Sequence, residues 1–441
     1  MDRAQPEQPE PVEAPTRVDP VAAAMSEVAG GPLGAHAAGH PWWSAARVLA
    51  GATAVTLAAG MLAKTACVPT GWGNEHQPLT ELCWTDLAGR SVDAGSPPRV
   101  AAWLTDGVER ATAVLPGSGT VATTAGLAVL LAALALLATA LLVRVDRRRP
   151  WAAAGWALGP VLLVHWLSWE LVAAVGVAVL LWGWTSGRPW LAGVGAGVGA
   201  AFALPVALAL VGVLAVGGRL RDRVDALLAA GAAYVVLTLP GRATGPDLDI
   251  GSIWLLLDQT GIGASTTVRT LGQVGVLALA AAAAWWLVRR AGRPTAMTTA
   301  RAGLVLLAAG LVVAPSAPPE SALLLLPLAA LAVRRWRDLL VWQGLHLVSW
   351  VITGWYVGLA LEPTVSDDGR AYWVAVLLRV LGLLWLIGAV LRDAASGPVD
   401  GPDDDAGWRP PGSVDDDAVE VGRGEAHPHL DVLTDVGDAR P

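Results

Sequence analysis

Residues Val121 to Val143 read VATTAGLAVLLAALALLATALLV, without a charge, a proline or a period-two alternation. A run of this length matches the roughly 20 residues that an α-helix needs to cross a hydrocarbon core about 30 Å thick. Rich in Ala and Leu and without alternation, it lacks the pattern of an outer-membrane strand. Similar blocks recur at Leu271 to Val288, Ala302 to Val313, Leu339 to Leu361 and Tyr372 to Leu391. Over 441 residues the chain is 54% hydrophobic and only 15% charged, with a mean hydropathy of +0.52. That balance excludes an ordinary soluble domain and makes lipid the expected solvent. The expected fold class is all-α, a polytopic transmembrane helical bundle of about twelve spans.

The first span is expected at Ala45 to Ala63. The others fall near 121–143, 151–167, 169–185, 190–202, 204–216, 224–240, 270–288, 298–315, 320–333, 338–361 and 371–391. Pro205 interrupts the apolar run from Trp190 to Val216, and basic loops flank both of its ends. An even number of crossings keeps those loops on one side, so the run is read as two short helices. Gly251-Ser-Ile-Trp-Leu-Leu-Leu-Asp258 is too short to span and suits a re-entrant or interfacial helix.

Three regions frame the spans. Residues 1–43 have too few large apolar side chains to offset the entropy of ordering and are expected as a disordered arm. They also lack the basic start and short apolar core of a cleaved signal peptide. Residues 44–392 form the membrane domain, with 64–120 its long outer loop. Residues 393–441 hold thirteen Asp and Glu against three Arg and are expected as an acidic disordered tail, which alone makes the formal charge of -7 negative.

Arginine clusters at 144–149, 188, 219–223, 289–293, 334–337 and 392 fall in alternate loops, while the loops between them are nearly free of such clusters. The positive-inside rule puts that face in the cytoplasm of a bacterial plasma membrane, with both termini inside and the 64–120 loop outside.

Cys67 and Cys83 are the only cysteines and lie in this outer loop, where disulfides persist. They read as a disulfide that staples the segment ahead of Trp84-Thr85-Asp86, or as two buried thiols. With only His76 nearby, a zinc site falls short of four ligands. Asp86 is the acidic residue to single out in the one loop large enough to shape an outer site, although an Asp in such a loop also serves as a helix cap. His165 and Glu170 flank the Trp-rich His-Trp-Leu-Ser-Trp-Glu stretch. Ionisable groups at membrane depth are functional by default, whereas at the interface the same stretch is an aromatic belt. His346 reads as a hydrogen-bonded packing residue. Lys64, Arg90, Arg99, Arg242, Arg269 and Arg370 are outer cations able to meet a lipid phosphate or to snorkel. No Walker loop, dinucleotide fingerprint, zinc motif or serine elbow occurs.

Lys64-Thr-Ala-Cys67, Trp72 and Cys83-Trp-Thr-Asp86 resemble the Lys-x-x-Cys and Cys-Tyr-Ser-Asp of actinobacterial glycosyltransferase family 87. Leu158-Gly-Pro160, His165 and Trp169-Glu170 follow in the family's order. So do Gly199 to Pro205, Gly251 to Trp254, Arg335 to Gln343 and Val390 to Asp393, and the resemblance runs over most of residues 45–410. The family comprises GT-C type mannosyltransferases that draw mannose from a polyprenyl phosphate. The resemblance implies transfer of a hexose to a cell-envelope glycolipid or glycan on the outer face. It implies Asp86 as base, Glu170 and His165 as helpers, Lys64 or Arg90 near the donor phosphate, and no cofactor, the lipid-linked donor being the substrate and a divalent metal being left open. The chain departs from the family at Phe202-Ala203-Leu204, at Ala314 to Ser321 and at Ala88-Gly-Arg90. Two alternatives accompany this reading: a degenerate paralogue that partners an active envelope enzyme, and a transporter of lipid-linked sugars.

Overall fold

The computed structural model describes residues 43–71, 77–87, 99–113, 119–238, 248–361 and 369–396. The N-terminal arm before Trp43, Trp72, His76, Arg90, Arg242 and the acidic tail from residue 397 lie outside the described residues. Every regular element among the described residues is helical. The principal helices are α1 Ala45–Ala63, α2 Arg99–Thr112, α3 Thr120–Val145, α4 Pro160–His165, α5 Glu170–Thr185, α6 Pro189–Phe202 and α7 Val206–Leu214. They continue with α8 Leu220–Thr238, α9 Ile253–Gln259, α10 Thr266–Ala291, α11 Ala296–Val312, α12 Ala322–Ala332, α13 Trp336–Val357 and α14 Arg370–Ala395.

Among the described residues four helices, α1, α3, α10 and α14, are long and apolar enough to cross a membrane by themselves. Shorter apolar helices stand beside them at Glu170–Thr185, Pro189–Phe202, Ala296–Val312 and Pro319–Ala332. The chain is thus an all-α membrane protein of the multi-pass type.

The short helices pack closely because their sequences are rich in small residues. Along α6, Gly193 and Gly197 face α8, where a β-carbon would land 2.1 Å from the Ala226 carbonyl and 2.3 Å from that of Ala230. On its other side Gly195 meets the Gly176 carbonyl of α5, 2.7 Å from where a β-carbon would sit. Glycine at every second position therefore leaves α6 smooth on both faces, the arrangement by which helices approach in lipid without a hydrophobic driving force. Pro205 ends this run as expected from its missing N–H, and α6 and α7 are separate helices.

Two regions differ from expectation. The segment 151–167, expected as one span, is broken into a 3-10 turn at Pro150–Ala153, a helical turn at Ala154–Ala157 and α4. Leu158-Gly159-Pro160 interrupts it, and the start of α4 is satisfied from another helix: Val161 N–H donates to Gln343 Oε1 of α13 at 3.2 Å. A backbone donor freed in lipid needs such a partner. The 64–120 loop contains the helix α2, whose charges hide it from a hydropathy window. Its Ala101 is buried with Leu127 and Trp169, its Val108 packs against Gly126, and Trp103 is exposed.

Arg379, inside the expected 371–391 span, organises one end of the bundle. It is buried, and its guanidinium donates to the carbonyls of Gly251 at 2.6 Å, Leu311 at 2.7 Å and Ala317. The segments it grips are laced together, with Asp249 N–H on the Pro315 carbonyl at 3.0 Å and Ser252 Oγ on that of Ala314 at 3.1 Å. Gly251 has φ +82°, and a β-carbon there would lie 2.0 Å from the Ala317 oxygen, so a side chain at this position is excluded twice over. An arginine in a span is costly unless its donors are filled, and here backbone oxygens fill them. The consequence is positional: residues 311–317 are held, and Glu320 follows three residues later.

Candidate functional site

The segments around Cys67 and Cys83 are joined by the disulfide between them, with both residues fully buried and their Cα atoms 6.0 Å apart. Closing a loop of about 15 residues in this way contributes about 3 kcal/mol in the chain-entropy model. Its local effect is to bring the end of α1 against Trp84-Thr85-Asp86. Lys64, the only lysine in the chain, is buried there and donates to the Trp84 carbonyl. Thr85 Oγ1 donates to the Leu167 carbonyl at 2.6 Å and pins the same segment to the α4–α5 turn.

Asp86 is thereby delivered to the start of α5. Its Oδ2 accepts from the Trp169 N–H at 3.2 Å, so the carboxylate caps this helix, where the helix dipole favours negative charge. Its Oδ1 is buried without a hydrogen-bond partner. Glu170, the residue after Trp169, also has a buried and unpartnered oxygen, Oε2. Buried polar atoms are rarely left so, and two such carboxylate oxygens near one another make this the candidate site.

Glu320 completes the cluster from the opposite side. It is buried in the 3-10 turn Pro319–Ser321, with Oε1 3.6 Å from His165 Nδ1. His165 Nε2 lies 2.9 Å from His346 Nε2 of α13, and the His165 ring stands edge-on to Trp350. Each histidine nitrogen of the pair can donate or accept, so the contact requires one of them to hold the proton. The row Glu320, His165 and His346 leads from the bundle end into α13.

Electrostatics bind these groups together. Burial pushes the Lys64 ammonium down to about 8, while Glu320 and Asp86 pull the other way. Burial, followed by the charges of Glu170 and Glu320, holds Asp86 well above the usual carboxylate range, opposed by the Trp169 N–H and by Lys64. A carboxyl raised in this way is a stronger base once ionised than one in water. Among the described residues no three His, Cys, Asp or Glu side chains meet in a metal-holding group.

Of the residues singled out in the sequence, Lys64, Asp86, His165 and Glu170 come together, Cys67 and Cys83 hold them in place, and Arg90 lies outside the described residues. Arg269 instead reaches Thr266 of its own helix at 3.5 Å. His346, expected as a hydrogen-bonded packing residue, is hydrogen-bonded to a member of the cluster. Glu320 was missed. Its signal was a lone acid among prolines at the head of the apolar Ala322–Ala332 run, where an ionisable group at membrane depth has a reason to be there. No protein-family model, no curated protein and no solved structure matches this chain.

Proposed function

We propose that the chain is a GT-C type membrane glycosyltransferase of about twelve spans that moves a hexose, in the family mannose, from a polyprenyl phosphate to a cell-envelope glycolipid or glycan. The observation that carries this reading is the convergence of Asp86, Glu170, Glu320 and His165 with the single buried lysine, Lys64, at one end of the bundle. Asp86 Oδ1 accepts the proton of the acceptor hydroxyl. The hydroxyl oxygen then bonds to the anomeric carbon, the bond from that carbon to the phosphate oxygen breaks, and its electron pair leaves on the phosphate. Lys64 supplies the positive charge that such a leaving group needs. His165, held between Glu320 and His346, positions the donor. A lipid-linked donor accounts for the placement of this chemistry at the end of membrane helices.

The test compares envelope glycolipids and glycans by mass spectrometry in a strain lacking the gene, complemented with wild type or with Asp86→Asn. Loss of one hexose-bearing species, restored by wild type and not by the variant, is the expected outcome. Equal rescue by both removes Asp86 from the chemistry and leaves the scaffold as the better reading.

A further inference from the structure

The opposite end of the bundle carries a cavity lined by arginines. A cavity opens there between the turn before the Ala154–Ala157 helix and the turn that joins α12 to α13. Arg149, Arg334, Arg335 and Trp336 line it over a floor of small residues that includes Gly155 and Ala330. The neighbouring carboxylates are engaged elsewhere. Asp146 accepts from the backbone N–H groups of Arg148 and Arg149 at 3.2 and 3.3 Å. Asp338 takes Arg392 at 2.6 Å, with Arg337 at 3.9 Å. Among the described residues the side-chain hydrogen bond of Arg149 is a long one to Met297 Sδ, at 4.0 Å. Among the described residues no carboxylate lies within ion-pair distance of Arg149, Arg334 or Arg335.

Three arginines lining one concavity, with no carboxylate among the described residues paired to them, suit a phosphate, which arginine forks grip in a bidentate manner. Which phosphate is decided by what continues from the cavity. Trp336, Leu340, Gly344 and Val348 recur every fourth residue on α13 and are all exposed, with nothing within 4 Å of a β-carbon at Gly344. Trp336, which lines the cavity, is exposed, as aromatic residues are at headgroup level. A head that is anionic and a tail that follows this apolar stripe describe a phospholipid, and basic pockets between helix ends are where such headgroups bind.

We infer that this cavity binds the phosphate of one anionic phospholipid, with an acyl chain along the exposed face of α13. The inference is independent of the proposed transferase activity. It is tested on the full-length protein in detergent by native mass spectrometry and thermal unfolding with added phosphatidylglycerol, phosphatidylcholine or inorganic phosphate. The wild type should retain phosphatidylglycerol about tenfold better than phosphatidylcholine. Arg334→Gln with Arg335→Gln should reduce that preference to near unity, and Arg219→Gln with Arg221→Gln, in a different arginine cluster, should leave it intact. If the 334/335 variant does not fold, Arg149→Gln alone serves, with a fall of about threefold expected. Equal loss in both arginine pairs, or no preference in the wild type, overturns the site. Stabilisation by inorganic phosphate that matches that by phosphatidylglycerol overturns the lipid as its occupant.

Discussion

The two ends of the bundle use the same kinds of residue to opposite effect. At one end Lys64, His165 and Glu320 are buried, Asp86 and Glu170 half-buried, and one carboxylate oxygen of each of the last two has no partner. At the other, arginines sit in or near solvent and rest on backbone oxygens: Arg290 on the carbonyls of Ala394 and Ala395 at 2.7 and 2.8 Å, and Arg301 on that of Ala332 at 3.1 Å. Buried carboxylate oxygens without a partner occur at both ends, at Asp338 and Asp393 as at Asp86 and Glu170. The ends differ in what faces them: Arg392, itself near solvent, meets Asp338 and Asp393, whereas the buried Lys64 is shared by Asp86 and Glu320, so that each charge there shifts its neighbours.

The sharpest way to break this contrast is Asp86→Asn, which removes the free oxygen while keeping an acceptor for the Trp169 N–H. Transfer in membranes supplied with a polyprenyl-phosphate hexose should fall by about 10²- to 10⁴-fold, the range for loss of a general base, with expression and thermal unfolding unchanged. Arg379→Gln attacks the scaffold of the same end. It removes charge-assisted bonds to three carbonyls and should cost about 3 kcal/mol or more of stability, read as a lower unfolding temperature in detergent. An unchanged unfolding temperature would mean that the 249–254 and 311–317 segments hold without it.

Replacing Cys67 and Cys83 by Ser should cost about 3 kcal/mol and, because Lys64 and Asp86 sit beside the bridge, should lower transfer as well as stability. Stability loss with full transfer would separate the bridge from the site. The pH profile of transfer sharpens the comparison further. Asp86 must be ionised to accept a proton, and its pKa is raised, so the acid limb should lie above the ordinary carboxylate range. Lys64 must be protonated to meet phosphate, so activity should fall again as pH rises through about 8. Each limb should change the rate by about tenfold per pH unit. At the far end, Arg221→Gln removes a solvent-exposed contact to Asp225 of 3.9 Å and should leave both the unfolding temperature and transfer unmoved.

Much of the helical framework was legible in the sequence because lipid imposes one rule on every residue of a span. Apolar length alone located Ala45–Ala63 and Thr120–Val145 to within a residue or two. The break at Leu158-Gly159-Pro160 was not legible, since a run of apolar residues looks the same whether its backbone donors are filled from within or by Gln343 of another helix. The α2 helix escaped for the opposite reason: charges such as Asp106, Glu109 and Arg110 lower its hydropathy below that of a span, although its packed positions Ala101 and Val108 recur at helical spacing.

At the candidate site, local sequence pointed to Asp86, Glu170, His165, Lys64 and the two cysteines, because each is an uncommon residue type in an apolar chain. Glu320 and Arg379 were decided only by the tertiary structure. Glu320 enters the site from 150 residues beyond Glu170, held there by loops that Arg379 grips through backbone oxygens that no sequence pattern records. The sequence by itself determined that the chain lives in lipid, where most of the long apolar helices run and several of the residues too costly to be idle. The tertiary structure decided which of those costly residues share one electrostatic neighbourhood, because burial and mutual charge act through space and not along the chain.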